Sequence, residues 1–74
     1  MSESTRRIRA LVKDEGLTCT QLGDMLGVTK AAASGKMRDV IGWGVRDIIT
    51  LSEHFHVSTD YLLGLDADRE EVTA

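Results

Sequence analysis

The sequence predicts an all-α domain of five short helices around one core, and three observations carry that prediction. The chain has 74 residues, no proline and three aromatic residues, which gives room for one core and little material for a sandwich or barrel. Apolar residues recur at i, i+3 and i+4 in short runs, the spacing of one helix face. Gly16, Gly27 and Gly64 close such runs, and Thr18, Thr29 and Ser58 open others, which is the usual punctuation of helix ends.

The elements follow in order. Ser4 and Thr5 are placed to cap a first helix, whose stripe is Ile8, Leu11 and Val12 and whose left-handed end is Gly16. Thr18 with Gln21 three residues on forms a capping box for a second helix. Its buried face is Leu22, Met25 and Leu26, and Gly27 closes it. Val28 links it to a third helix, capped by Thr29 and running to about Arg38. Residues 39–44 read as a loop in which two glycines flank Trp43, a core side chain in this reading. A fourth helix spans about Val45 to His54, with Val45, Ile48, Ile49, Leu51 and Phe55 toward the core. Ser58 opens a short fifth helix carrying Tyr61, Leu62 and Leu63, which Gly64 stops. The domain is thus 1–64, and residues 65–74 form an acidic tail without helical periodicity.

Nine basic residues against twelve acidic ones make the formal net charge −3. That sum hides an asymmetry. Residues 1–46 carry eight basic and five acidic side chains, whereas residues 47–74 carry Arg69 against seven acids. A basic half and an acidic half orient a domain toward a polyanion more than the total opposes it. The lone Cys19 excludes an internal disulfide and a cysteine-based zinc cluster. His54 and His56 are two apart, the wrong spacing for a metal pair on a helix. No nucleophile–base set, paired catalytic carboxylates or phosphate-binding glycine loop is written in the chain. These points lead to a non-enzyme with no cofactor, no metal, no small-molecule substrate and no membrane span.

The most informative stretch is Gly16 to Ser34: a capped helix, a glycine turn, an apolar link and a second capped helix. Such an order writes a helix-turn-helix over about 18–38. Gly23 allows the two helices to approach closely, and Gly27 provides the positive φ of the turn. Around it lie Ile8-x-x-Leu11, Gly16-Leu17-Thr18, Leu22-x-x-x-Leu26-Gly27-Val28-Thr29 and Val57-Ser58-x-Asp60-Tyr61-Leu62-Leu63-Gly64. In these phrases, and in Met37 to Trp43, the sequence resembles the phage repressor and Cro-type helix-turn-helix family. The resemblance implies a lambda-repressor-like five-helix fold and sequence-specific binding of double-stranded operator DNA. It also implies a homodimer at least on DNA and a role as a small Cro-type regulator in a bacterial host cytoplasm. Two positions depart from the family pattern: Cys19 stands where many members have Gln, and Val12 where many have Arg, both phosphate contacts.

In that fold the third helix, 29–38, enters the major groove. With Ala33 and Met37 facing the core, Lys30, Ala31, Ser34, Gly35 and Arg38 turn outward as base-contacting residues. Phosphate contacts are expected from Thr18, Cys19, Gln21 and Thr29 at two helix N-termini, and from Lys36, Arg9 and Lys13. Arg6 and Arg7 either extend that footprint or solvate the start of the first helix. Tyr61, Leu62 and Leu65 are the expected dimer patch. A second class of function is an antitoxin or anti-repressor module whose main partner is a protein, motivated by the acidic residues 66–71.

Overall fold

A computed structural model describes residues 2–65, so the expected acidic tail at 65–74 lies, apart from Leu65, outside the described residues. Five helices follow one another: α1 (Glu3–Glu15), α2 (Cys19–Leu26), α3 (Lys30–Met37), α4 (Val45–Phe55) and α5 (Thr59–Leu63). No strand occurs among the described residues. The fold class and element order match the prediction.

The cap of α1 differs from the expectation. Ser2, not Ser4 or Thr5, is the N-cap, and its Oγ accepts from the Thr5 amide at 3.1 Å. Thr5 is instead fully buried, because its hydroxyl is tied into contacts described below. At the other end Gly16 is left-handed at φ 77°, with its N–H bonded to Lys13 and that of Leu17 to Val12. This double bond satisfies the last carbonyls of α1 and turns Leu17 onto the core.

The capping box of α2 forms as written. Gln21 N donates to Thr18 Oγ1 at 3.1 Å, and Thr18 N donates to Gln21 Oε1 at 2.9 Å. Gly27 at φ 73° then reverses the chain, and Thr29 Oγ1 caps α3 by accepting from Ala32 N at 3.1 Å. The two helices meet backbone to backbone. A Cβ on Gly23 would lie 2.8 Å from the Val28 carbonyl oxygen, a backbone atom with nowhere to move.

The core is Ile8, Val12, Leu22, Ala33, Ile48, Leu51 and Leu62, one or two residues from each helix. Leu11, Met25, Met37, Trp43, Phe55 and Tyr61 pack around it half-buried. Two residues expected in the core are not there. Val45 is 77% exposed and Ile49 48% exposed. The buried stripe of α4 runs through Asp47, Ile48 and Leu51, and Val45 and Ile49 lie off that stripe. Val45, Ile48 and Ile49 therefore border an open apolar groove with Trp43, Gly44, Thr59 and Leu63.

Candidate nucleic-acid interface

The helix-turn-helix presents two helix N-termini of a particular kind. Thr18 and Thr29 each occupy one N–H of the following turn. The first N–H groups of α2 and α3 have no carbonyl partner within their helices. An acidic residue stands in the first turn of α1, α4 and α5, as Glu3, Asp47 and Asp60, but none in that of α2 or α3. The positive ends of those two dipoles are thus left uncompensated, the electrostatics that suit a phosphate.

Lys30 and Ala31 on α3 and Arg38 at its C-cap are exposed, and Ser34 is half-buried beside them. Thr18, Gln21, Thr29 and Lys13 are exposed, while Cys19 and Arg9 are half-buried. These residues stand open or partly open to a partner. Two others do not, and both are corrections to the sequence reading.

Gly35 is turned away from the core but is buried rather than exposed. The rotation argument placed it opposite the core correctly, but the loop after α3 folds back over it. Val40 N and Ile41 N both donate to the Gly35 carbonyl, at 2.9 and 3.1 Å. Lys36 is the second correction. Its ammonium donates to Asp47 Oδ2 at 2.7 Å and to the Gly42 carbonyl at 3.0 Å, and both side chains of the pair are 10% exposed. Nζ also lies 5.9 Å from the centre of the Trp43 ring, within reach of a cation–π attraction. A lysine engaged on those sides ties α3 to α4, and its ammonium is not presented to solvent as the sequence reading expected.

Sequence spacing also missed what holds the C-terminal end of α3 to α1. Arg9 Nη1 donates to the Met37 carbonyl at 3.1 Å, a cation on the negative end of α3. Asp39 adopts a left-handed φ of 63° and turns its carboxylate to α1. Thr5 Oγ1 donates to Asp39 Oδ1 at 2.7 Å, the Ser2 amide donates to Oδ2 at 2.7 Å, and Trp43 Nε1 donates to Thr5 Oγ1 at 2.9 Å. The Thr5 hydroxyl first, and then the Ser2 amide, hold the Asp39 carboxyl below its ordinary value. The asparagine-like tolerance of Asp for positive φ was the available signal for Asp39. For Thr5 there was none, since a threonine inside a helix reads as exposed.

Elsewhere, Arg7 is half-buried against α5 rather than solvated. It lies 4.6 Å from the centre of the Tyr61 ring and donates to the Tyr61 carbonyl and to Glu3. Leu62, expected in a dimer patch, is fully buried in the core, while Leu65 is exposed and Tyr61 lies under Arg7. His54 pairs with Glu15 at 2.6 Å. Among the described residues no three His, Cys, Asp or Glu side chains are grouped to hold a metal, and no helix is long and apolar enough to cross a membrane.

Residues 4–72 match the family model described as the BetR domain. Among solved structures, the chain is similar to the P22 c2 repressor protein in complex with synthetic operator 9T in the presence of Tl+. That chain is 32% identical, with a TM-score of 0.74 over 89% of this chain and 100% of that one. No curated protein sequence matches.

Proposed function

Because the chain belongs to the BetR domain family and is built as a phage-repressor-type helix-turn-helix protein, we propose that it is a sequence-specific double-stranded DNA-binding transcriptional regulator. In this reading α3 lies in the major groove and the domain, 1–64, works as a small Cro-like repressor in a bacterial cytoplasm. The role is one of binding and not of catalysis. The observation that carries the reading is the 32% identity to a repressor solved on its operator, over nearly all of both chains. The two uncompensated N-termini of α2 and α3 support it independently.

Lys30, Ala31, Ser34 and Arg38 are the base-contacting set. Thr18, Cys19, Gln21, Thr29 and Lys13 hold phosphates, through side chains and through the first N–H groups that the caps leave open. Arg9 keeps donors for a phosphate beyond the one on Met37. One module covers one half-site, so a second copy about 34 Å away along one DNA face is part of the proposal. The exposed apolar residues Val45, Ile49, Leu63 and Leu65 support a pairing face at the α4–α5 groove, with Leu65 kept from the patch expected from sequence. A protein-directed antitoxin or anti-repressor role is not favoured, since the similarity is to a repressor solved on operator DNA.

Titration of the protein against duplex DNA at rising salt tests the reading. Affinity is expected to fall by several decades per decade of salt, as released counterions require. Selection from a random duplex pool is expected to return a two-fold symmetric site. Absence of duplex binding at low salt overturns the proposal.

A further inference from the structure

Gly35 leaves α3 without a side chain at one outward position, and the structure fills that place from elsewhere. Gly35 is two residues on from the buried Ala33, about 200° around the helix, so a Cβ on it would point away from the core. Such a Cβ would meet no core atom. It would stand 2.7 Å from Ile41 Cδ1 and 3.0 Å from Ile41 Cγ1. The space of a residue-35 side chain is therefore occupied by Ile41.

The arrangement is anchored on both sides. The Gly35 carbonyl accepts from the Val40 and Ile41 amides, and one residue further the Gly42 carbonyl accepts from Lys36 Nζ. Asp39 fixes the start of the same loop to α1. Ile41 nevertheless remains 41% exposed. Its side chain covers α3 at Gly35, a position that helical rotation turns outward, and is itself only partly covered. Ala31, exposed and four residues before Gly35, lies on the same face one turn earlier.

We infer that Ile41, a loop residue, is a specificity-determining residue for DNA. It supplies the apolar side chain at the reading position where the helix has glycine, and it is directed at the C5-methyl group of a thymine. An isoleucine has no donor or acceptor, so among the base edges of the major groove the thymine methyl is the group that it recognises. The inference rests on the reading of α3 as the groove-binding helix.

The test uses duplexes selected from a random pool by the wild-type chain, with each thymine of the half-site replaced in turn by deoxyuridine. Removal of the methyl that Ile41 touches is expected to weaken wild-type binding about fourfold, the fold-change of one buried methyl group. Ile41→Ala is expected to lose sensitivity at that one position and to keep it elsewhere. Gly35→Ala approaches the same contact by another route, because its methyl forces Ile41 aside while raising helix propensity. It remains readable if Ile41→Ala loses its helical circular dichroism, and it is expected to change sensitivity at the same base pair. Retention of every methyl effect in both variants overturns the inference while leaving the proposed function intact. If the wild-type chain selects no site at all, the reading of α3 fails and this inference falls with it.

Discussion

The two ends of α3 are held in opposite ways. The N-terminal end is fixed by backbone and small side chains: the Gly27 turn, the Thr29 cap and the contact of Gly23 with the Val28 carbonyl. The C-terminal end is fixed by charged and polar side chains from distant parts of the chain. Asp47 of α4 holds Lys36, Arg9 of α1 holds the Met37 carbonyl, and Ser2 and Thr5 hold Asp39. The difference matters for binding. The end anchored without charges leaves Lys30 exposed, whereas at the other end Lys36 and Asp39 are engaged internally and Arg38 stays exposed.

The largest effect is expected where the polar anchor is cut. Asp47→Ala leaves the Lys36 ammonium buried without its carboxylate and deprives the Gly44 amide of its acceptor. Breaking one side of a buried pair costs about 3–5 kcal/mol, which thermal or urea unfolding will read. Replacing both partners by Lys36→Met and Asp47→Leu is expected to restore much of that stability, since a packed apolar pair avoids desolvation. The double variant also separates anchoring from phosphate contact. Its DNA affinity is expected to keep the wild-type salt slope, while a slope reduced by about one would return Lys36 to the phosphate-binding set.

At the other end Gly23→Ala is the matching cut. Its methyl would sit 2.8 Å from a carbonyl oxygen of the turn, so α2 and α3 must separate. Overpacking of this kind costs about 1–3 kcal/mol. Because the turn also sets the angle at which α3 leaves α2, operator affinity is expected to fall further than the melting temperature predicts. Gly27→Ala, strained by its φ of 73° but facing open space, is expected to destabilise without that extra loss.

The same contrast explains which parts of the molecule were legible in the sequence. Glycine turns, Thr caps and the Thr18–Gln21 box act between residues a few positions apart, and α2 and α3 came out as written. Lys36, Thr5 and Asp39 carry partners as far as eleven, thirty-eight and thirty-seven residues away, and no local pattern reports such pairings. Gly35 shows the limit most clearly. Helical rotation gave its direction correctly, yet the residue that covers it, Ile41, belongs to a loop whose path depends on those long-range bonds.

A smaller effect, confined to binding, is expected at Lys30. The side chain is exposed at the first position of α3, so Lys30→Ala should leave unfolding within about 0.5 kcal/mol of wild type. On DNA it is expected to change the preference at one base pair, as a lost guanine contact does. A uniform loss across all sequences, with the salt slope reduced by about one, would instead make Lys30 a phosphate contact.

The smallest expected effect lies in the loop that joins the anchored end to α1. Asp39 has a folded-state pKa below its ordinary value, through the Thr5 hydroxyl and then the Ser2 amide. A carboxylate so depressed adds stability above its unfolded pKa, near 3.9, and that contribution fades as pH falls toward the lower folded value. The neutral amide of Asp39→Asn cannot titrate, and Asn tolerates the left-handed φ of 63° that the position demands. The variant is therefore expected to be slightly less stable than wild type at neutral pH and to converge with it in acid. Trp43 reports the event locally, because its Nε1 donates to the same Thr5 hydroxyl. Its fluorescence is expected to shift in the wild type over the acid range in which the difference in stability closes. If the gap between the two proteins stays constant from neutral pH into acid, the carboxylate charge plays no part in holding the loop, and the anchor at this end of α3 reduces to Lys36 and Arg9.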